Sequence, residues 1–107
     1  MPNVSGLELA TLFAVARLGA EAYGAAVRRE LSATEGRDYS VGAVYTTLQR
    51  LEDKGLLGSR ASEPRQERGG RSRRYFVLTR DGAAACRAAR TQYKRMWAGL
   101  TLRGRTL

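Results

Sequence analysis

Ser40-Val41-Gly42-Ala43-Val44-Tyr45-Thr46-Thr47-Leu48-Gln49-Arg50-Leu51-Glu52-Asp53-Lys54-Gly55 is the stretch on which the fold turns. Val41, Val44, Leu48 and Leu51 recur at three- and four-residue steps, which predicts an amphipathic helix with Ser40 as its N-cap and Gly55 at its end. Lys54 then stands near the negative pole of that helix, where a cation is favoured. Once Val44, Leu48 and Leu51 are set as the buried stripe at about 100° per residue, Gly42, Thr46, Gln49 and Asp53 point directly away. Ala43 and Arg50 fall on one flank and Tyr45 on the other. Gly42 and Ala43 carry little side chain, so the helix start can approach a groove wall and offer free N–H groups to a phosphate. Thr46 suits a thymine methyl or a base hydrogen bond, Gln49 suits adenine N6 and N7, and Tyr45 suits a phosphate oxygen. The plainer alternative is a row of exposed helix residues with Tyr45 partly in the core.

Two more helices are expected before this one. Ser5 and Glu8 have capping-box spacing, and Leu9, Leu12, Phe13 and Ala16 then form one face of a helix ending near Gly19. A second starts around Glu21, with Tyr23, Val27 and Leu31 on one face, and gives way to a loop over Ser32–Asp38 around Gly36. Beyond Gly55 the period changes. Leu56–Ala61 and Tyr75–Leu78 are short strand candidates, the second rich in branched and aromatic residues, joined through a tip with Pro64 and Gly69-Gly70. Arg65, Arg68, Arg71, Arg73 and Arg74 surround that tip, and guanidinium groups suit phosphates and narrow minor grooves. A merely solvated charge run is the alternative. Thr79 is placed to cap a fourth helix running to about Leu100, and the last residues are expected to fray.

The fold class is therefore mainly α with a small β hairpin, a winged helix-turn-helix plus a C-terminal dimerisation helix. Residues 1–80 make the winged-helix DNA-binding domain, 81–101 the dimerisation helix, and 102–107 a frayed basic tail. In this arrangement the third helix enters the DNA major groove.

Composition narrows the function classes. The chain of 107 residues is 43% hydrophobic and 27% charged, as a foldable domain should be. No apolar run reaches the ~20 residues that span a bilayer, so membrane insertion is not expected and a cytoplasmic location is. The chain holds no histidine and one cysteine, Cys86, which is expected to be a small buried residue rather than a nucleophile or ligand. With no phosphate-binding loop, paired carboxylates or metal-ligand spacing, neither catalysis, a metal nor a cofactor is expected. Residues 1–56 carry six basic and seven acidic side chains, whereas residues 57–107 carry thirteen and three. That concentration of positive charge points to double-stranded DNA as partner. A winged-helix interaction module that binds protein, RNA or an anionic surface without a specific operator is the alternative function.

Cys86, Ala89, Tyr93, Met96, Trp97 and Leu100 form a stripe at helical spacing on the fourth helix. One small domain has little left to cover it, and a second copy related by a two-fold axis does so, which predicts a homodimer. Packing against its own first helix is the alternative. Tyr93, Met96, Trp97 and Leu100 would bring two aromatic and thioether clusters together at such an interface, where a small planar aromatic ligand could stack.

The sequence resembles the PadR family of transcriptional regulators. The resemblance rests on Tyr23-Gly24, on Gly42-Ala43-Val44-Tyr45-Thr46-Thr47-Leu48-Gln49-Arg50-Leu51-Glu52-Asp53-Lys54-Gly55-Leu56-Leu57, and on Arg73-Arg74-Tyr75-Phe76-Val77-Leu78-Thr79-Arg80-Asp81-Gly82, within roughly residues 7 to 90. It implies a winged-helix dimer that represses promoters, reads DNA with its third helix and wing, and in many relatives lets go when a phenolic or other small aromatic compound binds. Thr46 follows Tyr45 where many relatives have proline, so base preference is not carried over. The single helix after the wing resembles the compact branch of the family, so the phenolate sensing that depends on a larger C-terminal domain in some members is not expected.

Overall fold

A computed structural model describes residues 4–62 and 73–106. Helix α1 (Gly6–Leu18) leads through a 3-10 turn at Gly19–Glu21 to α2 (Gly24–Glu35) and α3 (Val41–Asp53). An antiparallel hairpin of β1 (Leu57–Ala61) and β2 (Arg74–Leu78) follows, then α4 (Arg80–Trp97) and a small hairpin of β3 (Thr101–Leu102) and β4 (Arg105–Thr106). The fold is mainly helical with a small hairpin, as the sequence predicts.

Helix starts follow the polar caps. Ser5 accepts from the Glu8 N–H while Glu8 accepts from the Ser5 N–H, a complete capping box. Ser40 Oγ accepts from Ala43 N at 3.1 Å and Thr79 Oγ from Gly82 N at 3.0 Å. Thr79 also donates to the Gly55 carbonyl at 2.7 Å, so one hydroxyl starts α4 and ties it to the end of α3.

The faces correct the sequence reading in several places. In α1 the buried side chains are Glu8, Thr11, Leu12, Ala14 and Val15, while Phe13 is 41% exposed and Ala16 is at the surface. The buried face is rotated from the expected Leu9-Leu12-Phe13-Ala16 because the polar groups are satisfied: Lys54 Nζ reaches both Glu8 carboxylate oxygens at 2.8 Å, and Thr11 donates to the Leu7 carbonyl at 2.7 Å. Helix α2 begins at Gly24, later than Glu21, and continues through Ser32–Glu35 until Gly36 takes a left-handed φ of 70°. Val41, at the start of α3, is 52% exposed rather than core.

Leu12, Val15, Val27, Leu31, Val44, Leu48, Leu51 and Leu56 are fully enclosed between the first three helices and the hairpin. Leu57 pairs with Leu78 and Ala61 with Arg74 in the register of the hairpin. The hairpin is anchored to the α1–α2 connection by Phe76 N donating to the Ala22 carbonyl at 2.8 Å and by a bridge between Tyr23 and Tyr75. Its open end is closed by Ser62 N donating to the Arg73 carbonyl at 2.7 Å. In α4, Gly82, Ala85 and Cys86 are buried, and Gly82 lies so close to the Leu56 carbonyl that a Cβ would overlap it. Every residue from Thr91 to Arg105 is exposed. The tail expected to fray instead pairs as β3–β4, because Arg103 and Gly104, at φ of 53° and 79°, make the two-residue turn that matches strand twist.

Candidate nucleic-acid interface

The outward face of α3 is open where the sequence places it. Gly42, Thr46, Gln49, Arg50 and Asp53 are exposed and Ala43 is half-buried, while Val44, Thr47, Leu48 and Leu51 face the core. Nothing lies within 4 Å of a Cβ built on Gly42, so the start of the helix offers a bare backbone. Tyr45 falls between its two readings. It is partly exposed, yet its hydroxyl lies against Gly24, where a Cβ would overlap it, on the wall of a groove of about 630 Å³ between α2 and α3. Arg28 and Arg29 line the same groove. Arg28 Nε donates to the Tyr39 carbonyl at 2.7 Å, and Arg29 donates to the Tyr23 hydroxyl at 3.1 Å, which holds that phenol below its usual pKa.

The two arginines at the base of the wing are engaged with the domain. Arg73 stacks over the Tyr23 ring at 4.1 Å, and that ring meets Tyr75 edge-on at 5.7 Å, with Arg60 over Tyr75 at 5.1 Å. Arg74 turns onto α3: its Nε donates to Ser59 Oγ at 3.0 Å, one terminal nitrogen donates to Gln49 Oε1 at 3.3 Å, and the other pairs with Glu52. Ser59 donates to the second Glu52 oxygen at 2.6 Å, and Gln49 Nε2 donates to Asp53 Oδ1 at 2.9 Å. Arg65, Arg68 and Arg71 lie outside the described residues.

Sequence reasoning missed Tyr23, Arg60, Ser59 and Glu52 as parts of this surface. Only the Gln49–Asp53 pair, four apart on one helix, carried a local signal. The rest depends on β2 meeting α3, which spacing along the chain does not encode.

The second candidate cluster sits on α4. Tyr93, Met96 and Trp97 are 49%, 59% and 58% exposed, and Leu100 is also at the surface. Phe13 of α1 joins Tyr93 and Trp97 in lining a shallow apolar groove of about 500 Å³, with Arg90 and Lys94 at its edge. Cys86 is buried, and that burial pushes its thiol pKa up. Among the described residues no cluster of three or more histidine, cysteine or carboxylate side chains could hold a metal, and no helix is long and apolar enough to cross a membrane.

The family model described as the transcriptional regulator PadR-like family matches residues 12–88. No protein of curated function matches the sequence. Among solved structures, a PadR family transcriptional regulator from Eggerthella lenta DSM 2243 is 28% identical with a TM-score of 0.63, covering 87% of this chain and 82% of its own. RosR of H. salinarum, in the complex structure hsRosR-S1, is 26% identical with a TM-score of 0.66 and respective coverages of 91% and 79%. A PadR-like transcription factor from Bacteroides fragilis, at 23% identity, shares the fold with a TM-score of 0.67 over 84% of this chain and 82% of its own.

Proposed function

The chain belongs to the transcriptional regulator PadR-like family, whose members are DNA-binding regulators rather than enzymes, and on that premise we propose that it is a sequence-specific, cytoplasmic repressor acting as a homodimer. Residues 1–80 are the DNA-binding unit and 81–101 the dimerisation segment, in which α4 ends at Trp97 rather than running on to Leu100. Ser40, Gly42, Ala43, Tyr45, Thr46, Gln49 and Arg50 form the face that enters the major groove. Arg65, Arg68, Arg71 and Arg73 anchor the wing on the phosphate backbone, and Arg74 stands between the two. The observation that carries this reading is the solvent-exposed face of α3 beside the basic hairpin: the core takes one side of the helix while Gly42, Thr46 and Gln49 lie on the exposed side.

A dimer formed through α4 would set two copies of α3 on one side of the duplex, and its operator would be an inverted repeat that excludes polymerase when occupied. The groove along Phe13, Tyr93 and Trp97 is within the ~300–1,000 Å³ range of small-ligand sites. A small planar aromatic compound held there weakens DNA binding if it favours the dimer geometry that separates the two reading helices wrongly.

Selection of bound sequences from a random duplex pool tests the central claim. Enrichment of one inverted repeat, with half-site centres about 34 Å apart, is expected. Equal retention of all sequences would favour an interaction module without an operator.

A further inference from the structure

Gln49 does not stand free on the reading face. Its Oε1 accepts from Arg74 and its Nε2 donates to Asp53. A primary amide has two N–H donors and two acceptor lone pairs, so each partner uses one of a kind and leaves one donor beside one acceptor. That remaining pair matches adenine in the major groove, which offers the N7 acceptor and the N6 donor. Guanine offers two acceptors there, and thymine an acceptor beside a methyl group.

An unconstrained amide exchanges its nitrogen and oxygen by rotating about a broad, two-fold terminal torsion, and so can offer a donor to guanine or thymine instead. Here the reversal is opposed at both ends, since it would set the amide nitrogen against the Arg74 guanidinium and the amide oxygen against the Asp53 carboxylate. Arg74 is itself held, because Glu52 pairs with one arm of the guanidinium and Ser59 accepts from Nε. Glu52 is fixed in turn by the Ser59 hydroxyl. The chain of contacts runs from wing to helix and ends on the one long side chain with a base-reading amide.

We propose that Arg74 and Asp53 are positioning residues for recognition: they lock the Gln49 amide in the orientation that accepts adenine and rejects guanine and thymine at one base pair of the site. This rests on the reading above, in which α3 enters the major groove, and it gives Arg74 a different task from the phosphate-anchoring arginines of the wing.

The test uses the 107-residue chain, a fluorescent duplex selected from the random pool, and all single-base-pair variants of that duplex, with affinity read by anisotropy. Gln49→Ala flattens the preference at one base pair and thereby marks the position. If it flattens none, the base-reading role of Gln49 fails and the positioning role with it. At the marked position, Arg74→Ala and Asp53→Ala each reduce the preference for adenine about tenfold, within the range of one bidentate contact, and leave the other positions essentially unchanged. Asp53→Asn, whose amide can accept from Nε2 or turn to donate to a reversed Gln49 oxygen, loses part of the preference, whereas Asp53→Glu, still acceptor-only, keeps more of it. A uniform loss on every duplex with Arg74→Ala makes Arg74 a backbone anchor and overturns the proposal, as does an unchanged preference with Asp53→Ala, while Gln49 remains a reader. Should Arg74→Ala unfold for want of its contacts to Glu52 and Ser59, Asp53→Ala at the exposed end of α3 decides alone.

Discussion

Two glycines that a sequence reading treats alike differ in what stands over them. A Cβ added at Gly82 would meet the Leu56 carbonyl, whose oxygen is held by the Thr79 N–H at 3.2 Å, whereas one added at Gly24 would meet the end of the Tyr45 side chain. An alanine in a helix gains up to about 1 kcal/mol over glycine. At Gly82 that gain is overwhelmed, because the backbone oxygen cannot move without separating α4 from the end of α3, and overpacking of this kind costs about 1–3 kcal/mol or more. Gly82→Ala is expected to lower stability by about 2 kcal/mol in urea denaturation, whereas Gly24→Ala stays within about 1 kcal/mol of the parent, because Tyr45 swings aside. Equal denaturation midpoints for the two variants would mean that α4 docks more loosely than the Gly82 contact implies. Both glycines were visible in the sequence as parts of a family resemblance; the reason for each was not, since it lies in a residue 21 or 26 positions away.

At the scale of elements, caps were legible and faces less so. Ser5, Ser40 and Thr79 announce helix starts through their own backbone neighbours, so local sequence suffices. The burial of Glu8 does not, because its partner Lys54 comes from the end of α3. Counting apolar residues therefore put Phe13 inside and gave no sign that Glu8 is buried. The polar run Ser32–Glu35 looked like a loop but is the exposed last turn of α2, ended by Gly36. The tail was expected to fray, because an arginine at the left-handed position before Gly104 disguised a hairpin turn. The Glu8–Lys54 contact also predicts a pH dependence. Burial of Glu8 raises its pKa, but the Lys54 ammonium and the Ser5 hydrogen bonds outweigh it, and the net shift is downward from 4.5. As pH falls below 4.5 the unfolded chain takes up a proton that the folded chain still refuses, so stability present above 4.5 is lost as pH descends through the folded value. Glu8→Gln should lose about 1–3 kcal/mol at neutral pH, through the lost charged hydrogen bonds, and should show a smaller further loss on acidification. Parallel acid profiles for parent and variant would mean that Glu8 titrates alike in both states.

For the whole molecule, charge and shape both point outward from the tri-helical core. The net charge of +9 resides in the wing, α4 and the tail, so DNA affinity is expected to fall steeply with salt, and Arg65, Arg68 and Arg71 changed together to glutamine should flatten that slope by about the number of phosphates they neutralise. A slope indifferent to those three would move the backbone contacts to another face. The shape argues for a second copy of the chain. Its radius of gyration is 16.3 Å, against about 13 Å for a compact chain of this length, and its extents of 60 × 28 × 21 Å fit an α4 whose second half leaves the core. That half carries Tyr93, Met96 and Trp97 on one stripe with Phe13 at its edge. Leaving such a set in water forfeits about 1.5–3 kcal/mol for each large side chain that a partner would bury. Two copies of the stripe facing across a two-fold axis satisfy both chains at once, which a contact with an unrelated surface would not. Light scattering is thus expected to give twice the 11.8 kDa chain mass at micromolar concentration. Trp97, the one tryptophan, reports on the contact directly: its emission should shift to the red on dilution as the indole returns to water. Truncating a central aromatic anchor costs about 2 kcal/mol or more, so Trp97→Ala should weaken dimerisation by about thirtyfold or more while thermal unfolding of the tri-helical core changes little. A parent that scatters as a monomer at every concentration, or a Trp97→Ala chain that dimerises like the parent, would leave this stripe to some other partner and remove the symmetry from which the inverted-repeat operator follows.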